Sequence, residues 1–107
     1  MNLRKSDQCN SLEELRAEID KIDREIIQLF SERMKYVEAV VDFKPDAESI
    51  IAEERKEQVI RERTEWAEKA GLNPNTIKNI YLQLIESNIQ HEMKLLGERQ
   101  CNEVPKQ

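Results

Sequence analysis

The stretch from Ser11 to Lys44 contains neither glycine nor proline, and its apolar residues recur at alternating intervals of three and four. This period predicts one amphipathic helix with a continuous apolar seam. At about 1.5 Å per residue the helix would be roughly 50 Å long, whereas a compact chain of 107 residues is only about 25–30 Å across. The helix would overhang any core that one chain can build, so its seam needs a partner. We therefore predict an all-α chain that assembles as an obligate helical homodimer.

Capping and breaking residues set the bounds of three predicted helices, the first of them very long. The helices span 11–44, 49–70 and 73–96. Ser11 and Glu14 form a capping-box pattern at the start of the first helix, and Pro45 ends it because a residue before proline disfavours helical geometry. Gly71 and Gly97 each follow a helical pattern and predict a left-handed cap. The helical domain is expected to cover residues 11–97, between disordered polar tails over 1–10 and 98–107.

The composition favours a helical protein and argues against several classes of function. Charged residues make up 36% of the chain, which has only two glycines. A net charge of −5 argues against nucleic-acid binding, which needs a concentrated positive face. The sequence has no apolar run long enough to span a membrane and no apolar segment like that of a signal peptide near the N-terminus. These observations favour a cytoplasmic location.

Few residues in this sequence could support metal or nucleophilic chemistry. The two cysteines, Cys9 and Cys101, lie in polar regions near opposite termini and fit neither a metal site nor a disulfide framework. His91 is the single histidine, so a histidine-based metal site lacks a second histidine, and a lone histidine on a helix is more often structural or exposed than catalytic. We expect no metal and no redox cofactor.

Polar residues interrupt the inward stripes of all three predicted helices. Arg33 and Arg55 stand at inward positions of the first two, and Asn88 and Glu92 at neighbouring inward positions of the third. Lys44 shares the face of Arg33, about 16 Å farther along the helix. Converging arginine and lysine side chains bind carboxylates, so the pattern predicts a pocket for a small ligand with several negative charges. An internal arginine–glutamate network that only fixes helix register is the alternative.

The order and spacing of several short motifs carry a resemblance to a known family. They read LRxEIDxID over 15–23, SERMxYV over 31–37, FK at 43–44 and EER over 53–55, followed by the helix over 73–96. Over residues 11–97 the chain resembles the all-helical (type II) chorismate mutases. The resemblance implies an intertwined homodimer with two equivalent sites, in which a first-helix arginine, here Arg16, reaches the site of the partner chain. Helix geometry agrees, because Arg16 and Arg33 would lie about 25 Å apart along one helix, too far to contact one small substrate.

The resemblance also implies three groups of site residues. The carboxylates and the ether oxygen of the substrate would be bound by Arg16 from the partner chain, Arg33 and Lys44. Arg55 would be a further substrate contact. Asn88 would lie near a carboxylate or hydroxyl group. Glu92 stands where many members have a glutamine that donates a hydrogen bond to the ether oxygen, and a glutamate can do so only when protonated. The apolar walls would be formed by Val40, Val59, Ile85 and Ile89.

The activity that the resemblance implies first is chorismate mutase, the pericyclic rearrangement of chorismate to prephenate. The enzyme would hold a compact substrate conformer and stabilise charge on the ether oxygen, mainly through Lys44, Glu92 and Arg33. However, Ala52 and Lys56 stand where mutases carry acidic residues. The Phe43-Lys44 pair and its short spacing to Arg55 are similar to the family's isochorismate–pyruvate lyase branch, which gives salicylate and pyruvate. That lyase is the alternative activity, and a non-catalytic helical dimerisation module is a second alternative.

Overall fold

The computed structural model describes residues 1–102, and every regular element in this range is helical. Its α-helices are α1 (Leu12–Val40), α2 (Ala47–Ile51), α3 (Glu53–Lys69) and α4 (Pro74–Asn102). Short 3₁₀ turns occupy Ser6–Gln8 and Val41–Phe43. The predicted all-α fold with a long first helix is confirmed. None of the described helices is long and apolar enough to cross a membrane.

The start of α1 follows the predicted capping pattern only in part. The Ser11 hydroxyl accepts a hydrogen bond from the Glu14 backbone N–H at 3.1 Å, as a capping box requires. The Glu14 carboxylate, however, accepts from the backbone N–H of Asn10 rather than that of Ser11. That hydrogen bond, together with the Arg4 guanidinium, holds the pKa of Glu14 below its ordinary value.

The N-terminal ten residues make specific contacts, although the sequence predicted a disordered tail there. Arg4 Nη1 lies 2.8 Å from Glu14 Oε1, and the Arg4 backbone N–H donates to Glu18 at 3.0 Å. Both acceptors lie near the start of α1, so the residues before this helix fold back along its first turns. Sequence patterns do not reveal such a contact, because neither partner belongs to an apolar period.

The chain divides into two compact units, residues 1–36 and residues from 37 onward. The first unit consists mainly of α1, whose apolar seam is open to solvent. Leu12 is 60% exposed, Ile19 52% and Leu29 59%, and α1 contains no buried residue. Large apolar faces left open on a soluble protein are typical of interaction surfaces.

The second predicted helix, over 49–70, is divided in two at Ala52. This residue has a left-handed backbone with φ of 43°, which costs a non-glycine residue roughly 1–2 kcal/mol. The short α2 before it has its own capping box, in which the Ser49 backbone N–H donates to Asp46 Oδ1 at 2.9 Å. That hydrogen bond lowers the pKa of Asp46. A new helix begins after Ala52, so the side chains of α3 do not continue the helical faces of α2.

The turn between α3 and α4 agrees with the sequence prediction. Gly71 has a φ of 78°, and its N–H donates to the carbonyl of Glu68 at 3.1 Å. The Leu72 N–H donates to the carbonyl of Ala67 at 2.8 Å, which completes a Schellman motif. The Asn73 side chain then caps α4 by accepting from the Asn75 N–H at 2.9 Å, as the Asn-Pro pair predicts.

The predicted stop at Gly97 is wrong, because α4 continues through this residue to Asn102. Glycine in a helix interior costs only about 0.5–1 kcal/mol relative to alanine, so neighbouring helical residues can carry the helix across it. The predicted disordered tail over 98–107 therefore begins with helical residues. Its last part, 103–107, lies outside the described residues.

We expect opposite effects from alanine at the two glycines. Apart from the adjoining backbone and the neighbouring residues, no heavy atom lies within 4 Å of a Cβ added at either position, so the effects are conformational. Gly71→Ala should lower the free energy of unfolding by about 1–2 kcal/mol because of its left-handed backbone. Gly97→Ala should raise it by about 0.5–1 kcal/mol. Urea unfolding at one fixed protein concentration measures both, and destabilisation by Gly97→Ala would contradict a continuous α4.

The core of the second unit is small and partly polar. The helix α3 packs against α4, and α2 and the turn Val41–Phe43 also contact α4. The buried apolar residues of the described chain all lie in this unit: Val41, Ile50, Val59 and Ala67. Two polar side chains of α4, Asn88 and Glu92, are buried with them at 5% and 6% exposure. Polar residues are seldom buried to this extent without a partner, so they mark the candidate site.

Candidate active site

The centre of the candidate site is an ion pair between Lys44 and Glu92. Lys44 Nζ lies 3.4 Å from Glu92 Oε1 and 3.4 Å from the backbone carbonyl oxygen of Ile50. The side chain of Glu92 is 7% exposed and that of Lys44 is 21% exposed. Val41 is buried, and Lys44 leaves the turn in an extended conformation before Pro45. Lys44 and Glu92 are distant in the sequence and were predicted to belong to one site, and the fold brings them into contact.

Asn88 lies one turn before Glu92 on α4 and adds a second buried polar group. Among the described residues its Oδ1 atom has no hydrogen-bond partner. A buried acceptor that lacks a partner costs roughly 1–3 kcal/mol. Such a group is typical of a site where a ligand supplies the missing donor, as the sequence analysis expected for Asn88.

The side chain of Arg55 does not point inward, although its place in the apolar period predicted that it would. Its side chain is 59% exposed, and its Nη1 donates to Gln58 Oε1 at 3.0 Å and lies 3.9 Å from Glu62 Oε1. The guanidinium therefore follows the surface of its own helix. Arginine often behaves in this way, since its apolar stem can pack while its charge remains in water.

The other predicted site residues fall in both units. Val59 is buried, Ile85 and Ile89 are partly buried, and Val40 is 38% exposed. Arg16 and Arg33 belong to α1 in the first unit, where Arg16 is exposed and Arg33 partly buried. Within that unit neither arginine forms an ion pair.

Two further side-chain contacts lie near the ion pair, and no sequence pattern predicted either of them. His91 Nε2 lies 3.5 Å from Glu38 Oε1, and Arg99 pairs with Asp42. Arg99 lies in the segment that was expected to be a disordered tail. Residues of opposite charge are common in this sequence, so the charges of Asp42 and Arg99 alone do not predict that the two are in contact. A cleft of about 550 Å³ lies beside the Asp42–Arg99 pair and is lined by Asp42, Phe43, Lys44, Pro45, Leu96, Arg99 and Gln100.

Comparison with known proteins agrees with the resemblance read from the motifs. The family model described as chorismate mutase type II matches residues 15–93. The chain is 36% identical over 86 residues to the isochorismate pyruvate lyase of Pseudomonas aeruginosa, covering 80% of this chain and 85% of that protein. It is 35% identical over 83 residues to the T-protein of Haemophilus influenzae, covering 77% of this chain and 22% of that protein.

A third relative is the bifunctional chorismate mutase/prephenate dehydratase of Buchnera aphidicola. The chain is 32% identical to it over 95 residues, which cover 88% of this chain and 24% of that protein. The chain thus spans about a quarter of the latter two relatives but most of the lyase. The predicted family is confirmed by these matches: the chain belongs to the chorismate mutase type II family.

Proposed function

We propose that this chain, an enzyme of the chorismate mutase or isochorismate–pyruvate lyase kind, acts as an isochorismate–pyruvate lyase. The observation that carries the proposal is the buried Lys44–Glu92 pair beside Asn88, because it puts a cation and hydrogen-bonding groups into one small site. Substrate carboxylates attract such a cation. The match over 85% of the length of a lyase from Pseudomonas aeruginosa supports this choice within the family.

The residues around Lys44 also support the lyase over the mutase. The resemblance implies acidic residues in mutases at the positions of Ala52 and Lys56, and this chain has an alanine and a lysine there. Ala52 occupies the left-handed break between α2 and α3, a position without a side chain long enough to reach a ring hydroxyl. The mutase reaction is the second candidate, since the family model and the relative from Buchnera aphidicola carry that name.

The proposed reaction needs binding and electrostatics rather than a nucleophile. In isochorismate the ether C–O bond breaks, the hydrogen on the neighbouring ring carbon passes to the terminal methylene of the enolpyruvyl group, and the ring becomes aromatic. The two products are salicylate and pyruvate. Lys44 would stabilise the negative charge that develops on the ether oxygen, and Glu92 would hold its ammonium in place. Arg33 would bind a carboxylate, so that the enolpyruvyl group stays folded over the ring.

A second chain is part of this proposal. The seam of α1 is open to solvent in the first unit, and the second unit buries only a handful of apolar side chains. A chain of this size needs more buried apolar surface to be stable, and pairing of the seams in a homodimer would supply it. Arg16 would then enter the site of the partner chain. Arg55 would contact substrate only after leaving Gln58 and Glu62.

Parallel assays with isochorismate and chorismate test the activity. We expect salicylate and pyruvate from isochorismate with a kcat/KM well above that of any prephenate formation from chorismate. Faster prephenate formation would instead establish the mutase as the main activity. A purified protein that binds neither dicarboxylate and converts neither substrate would leave only the dimerisation module.

The pH dependence of prephenate formation tests a separate role of Glu92 in the mutase reaction, in which a protonated Glu92 replaces the anion that pairs with Lys44. A glutamate donates a hydrogen bond to the ether oxygen only when protonated, whereas glutamine donates at every pH. We therefore expect the mutase rate of the wild type to rise as pH falls, and Glu92→Gln to flatten the profile. Rates from pH 5 to 8 measure this, with Glu86→Gln on the exposed side of α4 as a matched control. A pH-independent wild-type rate would contradict this role.

A further inference from the structure

The last turns of α4 place a second charged side chain against the turn that carries Lys44. Arg99 Nη1 contacts Asp42 Oδ1, and Asp42 precedes Lys44 by two residues. Glu92 and Arg99 are seven residues apart, which puts them on one face of α4 at a separation of about 10 Å along its axis. Two ion pairs therefore join this stretch of chain to one face of α4. In one of them α4 supplies the anion, Glu92, and in the other it supplies the cation, Arg99.

The turn has few other attachments. Val41 is 2% exposed and packs in the core, but Phe43 is 86% exposed and contributes little packing. The Lys44 backbone N–H donates to the carbonyl of Val41 at 3.2 Å, which is a contact within the turn. Lysine has a long and flexible side chain, so the place of its ammonium group depends on how firmly its backbone is held. Among the described residues, the Asp42–Arg99 pair is the one ion pair, apart from that of Lys44 itself, that joins this turn to α4.

We propose that Arg99 is a positioning residue: by pairing with Asp42 it fixes the turn on α4 and holds the Lys44 ammonium against Glu92. The catalytic consequence rests on the proposed function. The two side chains of the pair are 42% and 58% exposed, so the pair itself adds little to stability. Its effect on turnover comes from placement, because small displacements of a reacting group lower rates strongly.

The variants Arg99→Gln and Asp42→Asn test this role, with Lys94→Gln as a matched control. Lys94 is an exposed cation of the same helix, so its loss changes the net charge as Arg99→Gln does, without touching Asp42. We expect kcat/KM to fall about three- to tenfold in each test variant, with a melting temperature within about 2 °C of the wild type. The double variant should be no worse than either single one, and exchange of the two charges, Asp42→Arg with Arg99→Asp, should restore part of the loss.

Chemical labelling of Lys44 gives a readout that does not depend on turnover. Acetylation of the intact protein, followed by peptide mass spectrometry, should proceed several-fold faster at Lys44 in Arg99→Gln and Asp42→Asn, with exposed Lys35 as the internal reference. Unchanged labelling would overturn the proposal, and so would faster labelling with unchanged kcat/KM. If the wild type converts neither substrate, the proposed function falls, and labelling still decides whether Arg99 positions Lys44.

Discussion

Replacement of Lys44 by alanine is expected to lower kcat/KM for the preferred substrate by about 10²–10³-fold. Loss of one preorganised donor at a developing oxyanion typically has this effect, and Lys44 provides the cation nearest to Glu92 in the described structure. Binding should weaken as well, since the ammonium group attracts the substrate carboxylates. Steady-state kinetics with isochorismate and chorismate, together with titration of a non-reacting dicarboxylate, separate the two effects.

Folding must be controlled in this experiment, because Lys44→Ala leaves Glu92 buried and unpaired. Removal of one partner of a buried ion pair costs up to about 3–5 kcal/mol, and the partial exposure of Lys44 reduces that cost. A double variant, Lys44→Met with Glu92→Leu, removes both charges and should recover most of the lost stability without activity. Lys35→Ala, in an exposed pair with Glu32, is the control for loss of a cation. An active, stable double variant would contradict the proposed role of the pair.

The second large effect is expected when two inactive variants are mixed. If each site takes Arg16 from one chain and Lys44 from the other, the Arg16→Ala and Lys44→Ala homodimers both lack complete sites. In a mixed dimer, one site carries both substitutions and the other carries neither. Unfolding and refolding an equimolar mixture should therefore restore about one quarter of the wild-type sites. Activity that appears only after subunit exchange would place Arg16 in the partner's site.

A matched mixture controls for non-specific rescue. Arg33→Ala mixed with Lys44→Ala tests two residues that the proposal assigns to the same chain in each site. Every mixed dimer then has one substitution in each of its sites, so no activity should return. Recovery in this mixture, or none in the first one, would contradict the proposed arrangement. Sedimentation analysis of each variant establishes that the dimer itself survives.

Much of the fold could be read from the sequence because local chemistry dictates it. Gly71 and Asn73 adopt the capping conformations that their residue types favour, and the apolar period of α1 fixes its long helix. Ala52 could not be anticipated, because an alanine gives no signal for a left-handed backbone. Gly97 shows the opposite case, in which a residue that favours a helix end lies within a helix.

Residues of the candidate site could be predicted where a polar residue stands at a helix position that the apolar period assigns to the core. Asn88 and Glu92 interrupt an apolar stripe, and they are the two buried polar residues of the described chain. Arg55 conflicted with its stripe in the same way, yet its long side chain reaches Gln58 on the surface. Short polar side chains must stay where the helix puts them, whereas arginine can leave. The Asp42–Arg99 pair had no signal, since two exposed charges of opposite sign are common.

The left-handed residue at Ala52 has a consequence for how this family can vary in length. Since α2 has its own N-terminal capping box and ends at this residue, the phase of α3 does not depend on the number of residues before it. A change in length before Asp46 that keeps Ile50 against α4 would therefore leave Val59 and Ala67 packed as they are. The segment that joins Lys44 to α2 can therefore be lengthened or shortened during evolution while the α3–α4 hairpin keeps its register.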